Sequence, residues 1–127
     1  VPKLNELVCS NCNYIQHPVK EKDFGISPQE LKKKLDNKED LIIIDVREKW
    51  EFGMANIKNS KLVPLKELID NLKNLDKNKL TITICHFGMD RSFNAARYLI
   101  QNGFNNVKNL EGGIDGWAKV DPSIKRY

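Results

Sequence analysis

Leu80-Thr81-Ile82-Thr83-Ile84-Cys85-His86-Phe87-Gly88-Met89-Asp90-Arg91-Ser92 runs from a strand pattern, through a short loop, into the start of a helix. Leu80 to Ile84 is rich in β-branched residues and suits a buried strand. Phe93, Ala96, Leu99 and Ile100 then recur at helical spacing, and Gly103 ends that helix. A loop between a parallel strand and a helix can curl so that successive backbone N–H groups point inward and form a nest for an anion. The helix start adds unpaired N–H groups and its dipole. Gly88 permits a backbone conformation that other residues resist. Cys85 is expected at the centre of this arrangement, with His86 and Arg91 as candidate cations. A free cysteine titrates near ~8.5, and helix N-termini and nearby cations bring this to roughly 3.5–7.5. The thiolate is the nucleophile, so such a loop makes Cys85 the candidate reactive group.

Working outward, Leu41 to Asp45 is continuously apolar up to its aspartate, as in a strand covered on both faces. Ser27, Pro28 and Glu30 form the start of a helix, with a hydroxyl cap, a proline at the first helical position and a capping-box glutamate. Leu31 and Leu35 lie on that helix. Leu62 to Pro64 reads as a short strand. Leu65, Leu68, Ile69, Leu72 and Leu75 follow helical spacing, and Asn106 to Leu110 reads as a further strand. Gly112-Gly113 turns the chain into a short segment around Trp117. Strands alternating with helices predict an α/β fold in three layers, a central parallel sheet with helices on both faces. Sites in such sheets form at the carboxyl ends of strands, where both Asp45 and Cys85 stand.

The 127 residues suit one domain, and 40% hydrophobic with 30% charged residues is a globular balance. No apolar run approaches the roughly 18 residues that span a bilayer, and no signal-peptide pattern is present. A cytoplasmic location is expected, with no membrane partner. The net charge of +4 is modest, and the densest basic run, Lys32-Lys33-Lys34, suits a solvated helix face. Nucleic-acid binding is not expected, because the basic residues lack density and interleaved aromatics. A mildly basic surface can attract an acidic protein partner. Three cysteines, at 9, 12 and 85, do not make a secreted disulfide framework. The first residue is Val1, consistent with a processed or excised piece of a longer protein.

These pieces together resemble the rhodanese superfamily over residues 26–127. The resemblance rests on the Cys85 loop, on Asp45-Val46-Arg47-Glu48 after a buried strand, and on Trp50-Glu51-Phe52. Val63-Pro64-Leu65, Gly103-Phe104 and Leu110-Glu111-Gly112-Gly113-Ile114-Asp115-Gly116-Trp117 extend it. It implies a sulfurtransferase in which Cys85 accepts a sulfane sulfur as a persulfide from thiosulfate or a protein persulfide, then yields it to an acceptor. It implies no metal or organic cofactor for the transfer. It makes His86, Phe87, Gly88, Met89, Asp90 and Arg91 the anion-binding loop, and Asp45 and Arg47 the pair that steadies it.

Two features depart from the pattern. Ala55-Asn56-Ile57 stands where the family often has Gly-His-Ile. Five residues, 86–90, separate Cys85 from Arg91, where many sulfurtransferases have four. Five is also the spacing in rhodanese-fold phosphatases and arsenate reductases, in which Cys85 would attack phosphorus or reduce arsenate and Asp90 could serve as general acid. Cys85, Gly88 and Asp90 are closer still to the loops of rhodanese domains attached to E1-like activators of ubiquitin-like sulfur carriers. The close of the chain, from Trp117 to Tyr127, is similar to those domains too. This implies a sulfur-carrier protein as acceptor, although Arg91 replaces their usual small polar residue. A binding module without turnover is a third reading, and the intact Cys85 loop argues against it.

Residues 1–25 read as an N-terminal extension before a rhodanese domain at 26–127. Cys9-Ser10-Asn11-Cys12 is half of a four-cysteine zinc site, and His17 adds at most one ligand. Zinc at Cys9 and Cys12, a redox pair and no special role are all left open. In E1-like activators a similar pair closes a zinc site ahead of the rhodanese domain.

Overall fold

The computed structural model of the chain describes residues 24–124. Cys9, Cys12 and His17 lie outside the described residues. In chain order the elements are β1 (Gly25–Ile26), α1 (Pro28–Asp36), β2 (Leu41–Asp45), α2 (Lys49–Met54), β3 (Lys61–Leu62), α3 (Leu68–Asn71), β4 (Leu80–Ile84), α4 (Asp90–Gln101), β5 (Val107–Leu110) and α5 (Gly113–Trp117). The five strands form one parallel sheet in the order β1-β5-β4-β2-β3. β4 lies at its centre, paired along its length with β2 and also with β5.

Helices cover both faces, as the alternation of elements predicts. On one face Ala95, Ala96, Tyr98 and Leu99 of α4 pack with Leu68 of α3, Ile44 and Val107. On the other, Leu31 of α1 and Ile114 and Trp117 of α5 pack on Ile43, Ile82 and Ile84. β2 divides its side chains between the two layers, Ile44 to one and Ile43 to the other. This explains its continuous apolar run.

The capping box at α1 is present in full: Glu30 N–H donates to Ser27 Oγ at 3.1 Å, and Ser27 N–H donates to Glu30 Oε1 at 3.3 Å. Asn102 caps α4, and Gly103 follows at φ +89. The segment from Leu65 to Leu75 is less regular than its leucine spacing predicts. Two 3-10 turns, Leu65–Glu67 and Leu72–Asn74, flank the four residues of α3. Glu67 and Asn71 take φ near −100 with ψ near 0, and the helix cannot propagate through them. β3 covers Lys61–Leu62 rather than 62–64, although the N–H groups of Val63 and Leu65 still donate to the Asp45 and Val46 carbonyls. β5 begins at Val107. The sheet also gains an edge strand at Gly25–Ile26, so the boundary drawn at 25/26 falls inside β1. Phe24 just before it is 4% exposed and lies 5.0 Å from the Phe93 ring.

Candidate functional site

Cys85 follows the last residue of β4, at the carboxyl end of the central strand, and is 3% exposed. Its sulfur lies 3.1 Å from Ser92 Oγ, the thiol donating to the hydroxyl. Ser92 is fully buried in the first turn of α4. When the sulfur is a thiolate, the same hydroxyl turns to donate back, because Ser both donates and accepts.

The loop between β4 and α4 is shaped by what its carbonyls do. Ile114 N–H donates to Cys85 C=O at 2.8 Å, and Asp115 N–H donates to His86 C=O at 3.0 Å. Asn109 Nδ2 donates to Gly88 C=O at 2.9 Å. In a planar trans peptide the N–H points opposite to its C=O. Three carbonyls drawn toward β5 and α5 therefore turn the N–H groups of His86, Phe87 and Met89 to the opposite side, as a nest requires.

Two glycines make the close approach possible. Gly88 sits at φ +74, and a Cβ there would meet the backbone of Leu110, Gly112 and Gly113. Gly113 sits at φ +59, where a Cβ would meet the Cys85 and His86 carbonyls. The loop and the Gly112-Gly113 turn thus fit only backbone against backbone.

The remaining predicted residues lie around the loop in different settings. Asp45 and Arg47, both fully buried, form an ion pair at the end of β2. Arg47 Nε donates to Asp45 Oδ1 at 2.9 Å, and Nη2 donates to Oδ2 at 2.7 Å and to Ala55 C=O at 2.6 Å. This pair ties the end of β2 to the end of α2, while the next residue, Val46, donates its N–H to Ile84 C=O beside the cysteine. Arg91, in the first turn of α4, places its guanidinium on Glu51 of α2. His86 is half-buried and its ring stacks on Phe87 at 4.1 Å. Phe87, Met89 and Asp90 are exposed.

Glu51, Ser92 and Asn109 are the members of this site that sequence reasoning did not assign to it. Glu51 is 4% exposed, and its carboxyl is lowered from 4.5 to about 2. The Arg91 hydrogen bonds are the main cause; burial opposes them, while the Glu48 N–H and the charges of Arg91 and Arg47 assist. The Trp50-Glu51-Phe52 resemblance flagged the segment but not its contact with Arg91. Ser92 stands just after the Cys85 loop, yet no spacing marks its hydroxyl as the sulfur's neighbour. Asn109 carried no signal.

Residues 27–120 match the rhodanese-like domain family. The chain belongs to the rhodanese family. At the level of that family its enzyme class is the rhodanese-type sulfurtransferase. A rhodanese-like domain protein from Staphylococcus aureus has a solved structure that superposes with a TM-score of 0.72. It is 35% identical, with 82% of this chain and 98% of that one covered. The thiosulfate sulfurtransferase GlpE of Pseudomonas putida is 28% identical over 80% of this chain and 91% of its own length. The adenylyltransferase and sulfurtransferase UBA4 of Debaryomyces hansenii is 34% identical over 91% of this chain, which spans only 28% of that protein. Among the described residues no helix is long and apolar enough to cross a membrane.

Proposed function

We propose that this chain carries sulfane sulfur on Cys85. The thiolate attacks the outer sulfur of thiosulfate or of a protein persulfide. A Cys85 S–S bond forms, the donor's S–S bond breaks, and sulfite or the donor thiolate leaves with the electron pair. The terminal sulfur carries the negative charge, which the N–H groups of His86, Phe87 and Met89 stabilise, with the Ser92 hydroxyl beside the inner sulfur. An acceptor nucleophile then takes the terminal sulfur and restores the Cys85 thiolate, so the kinetics are ping-pong. Asp45 and Arg47 act by fixing the turn after β2, between them Val46, whose N–H bonds to the cysteine-bearing strand. The carrier is the cysteine itself, and the transfer needs no metal or organic cofactor.

The observation that carries this reading is the outward turn of the Cys85, His86 and Gly88 carbonyls around a buried cysteine. The thiosulfate sulfurtransferase relative supports thiosulfate as donor. The acceptor we infer is an activated ubiquitin-like sulfur carrier. The Cys85, Gly88 and Asp90 pattern supports it, as does a relative that joins an adenylyltransferase to a sulfurtransferase. Trp50, Met54, Phe87 and Met89 are large, apolar and more than half exposed, and they lie on the loop and on the helix bonded to it. An apolar rim of this kind suits a protein partner more than a small anion.

Phosphate-ester hydrolysis or arsenate reduction is the rival reading, favoured by the five residues between Cys85 and Arg91. A tetrahedral dianion needs a forked guanidinium, and here Glu51 already occupies that fork. Comparing thiosulfate turnover with aryl-phosphate hydrolysis tests the choice. Sulfur transfer should dominate, and both activities should vanish in Cys85→Ser. Phosphate hydrolysis that exceeds sulfur transfer and falls steeply in Asp90→Ser would overturn the reading.

A further inference from the structure

Asn109 is a fully buried polar residue in β5, next to the cysteine-bearing strand and far from the loop in sequence. Its side-chain amide reaches Gly88 C=O at 2.9 Å. The other end of that side chain, Oδ1, lies 3.4 Å from Thr83 Oγ1. Thr83 is also fully buried, and its single hydroxyl hydrogen is best placed on Ser92 C=O at 3.0 Å. A carbonyl accepts and cannot donate, so the end of Asn109 that faces Gly88 must be the NH₂. The two residues together touch the Cys85 loop at Gly88 and the first turn of α4 at Ser92, whose hydroxyl meets the sulfur.

The backbone hydrogen bonds from α5 fix the carbonyls of Cys85 and His86. The Gly88–Met89 peptide is oriented by a side chain instead, and a glycine can rotate its peptide at little cost. If that peptide turned over, Gly88 C=O would face the side where the terminal sulfur gathers its negative charge. Met89 N–H would then point away from it.

We propose that Asn109 is a positioning residue for the Cys85 loop, whose amide holds the Gly88–Met89 peptide with its carbonyl out and its N–H toward the reacting sulfur. The proposal rests on the reading of Cys85 as the sulfur carrier. Thr83 seconds Asn109 by holding the start of α4. The function belongs to the side chain's donor, not to its size.

The test compares the parent chain with Asn109→Asp, which keeps the shape and replaces the donor by an acceptor, and with Asn109→Ala. Ile43→Val serves as a comparator, since it thins the core on the α1 and α5 face and leaves the loop's bonds intact. Thermal unfolding ranks their stabilities. Alkylation of Cys85 by iodoacetamide is followed by peptide mass, and sulfur uptake from thiosulfate by intact mass. Asn109→Ala should slow both by about five- to tenfold, the worth of one buried hydrogen bond. Asn109→Asp should slow them further, and Ile43→Val should leave them at the parent rate. Sulfur loading should shift the Met89 amide resonance in the parent and not in Asn109→Ala. Parent rates in both Asn109 variants, or an equal slowing in Ile43→Val once stability loss is matched, would overturn the proposal. Should an Asn109 variant fail to fold, Thr83→Val provides the second reading: a slower Cys85 with the fold kept supports the brace, and an unchanged rate overturns it. If the parent itself takes up no sulfur, the sulfur-carrier reading fails, and the alkylation rates still decide the role of Asn109.

Discussion

Arg91 and Glu51 meet as a fork, with Nη1 donating to Oε1 at 2.6 Å and Nη2 to Oε2 at 3.0 Å. The pair joins the first turn of α4, directly after the cysteine loop, to α2. Arg91 is therefore a brace between two elements, and its charge is already answered by a carboxylate. Lysine presents one ammonium where arginine presents a planar pair of donors. Arg91→Lys should keep the fold, lower the melting temperature by a few degrees and slow sulfur uptake less than Arg91→Ala does. Thermal melts and thiosulfate uptake on the three chains check this ordering.

Glu51→Gln keeps the shape of the side chain and removes the charge. With the pair only half-buried on the arginine side, the loss should be about 1–2 kcal/mol. Urea unfolding of Glu51→Gln, Arg91→Ala and the double variant should give non-additive losses, because the residues touch. Additive losses would show that the fork contributes nothing.

The same carboxylate sets a pH limit. Its value in the folded chain, about 2, is below the unpaired 4.5. A lowered carboxyl stabilises the fold fully above the unpaired value and loses that contribution as pH falls through the folded one. The stability difference between the parent and Glu51→Gln should thus be constant near neutrality and shrink between pH 4.5 and about 2. Urea midpoints measured across that window check the sign.

Gly88 and Gly113 cannot accept a side chain without moving backbone. A Cβ at either would add a clash to an unfavourable positive φ, and the conformation alone costs about 1–3 kcal/mol in other residues. Gly88→Ala should therefore abolish most sulfur uptake, with the remaining loss seen as a lower melting temperature. Near-parent uptake would mean that the loop tolerates another shape.

Ser92→Ala removes the hydroxyl 3.1 Å from the sulfur. A buried hydroxyl of this kind should be worth roughly tenfold in the rate at which Cys85 is alkylated. Ser92→Thr should recover much of it. Alkylation of Cys85 followed by peptide mass measures both.

Local pattern is enough for the frame and for the loop that carries the candidate Cys85. The apolar run from Leu41 to Ile44, the alternation of Leu80 to Ile84 and the Ser27 box each carry their structure within a few residues. Cys85 was legible because a strand, a glycine-bearing loop and a helix start follow one another without interruption. What escaped were residues defined by distant partners. Gly25–Ile26 becomes a strand only because β5 lies beside it. Glu51 looks like a surface helix residue until Arg91, 40 positions on, covers it. Asn109 reads as one of two polar residues in a short strand until Gly88 gives its amide a partner. The leucines from 65 to 75 show the opposite error: their spacing is helical, yet backbone at Glu67 and Asn71 breaks the helix.

Intact mass of the parent chain and of Cys85→Ser after incubation with thiosulfate tests the central claim most directly. The parent should gain one sulfur atom, peptide mapping should place it on Cys85, and a thiol acceptor should remove it. The Cys85→Ser chain should gain none. Sulfur found only on Cys9 or Cys12, or equal gain in the two chains, would contradict the account.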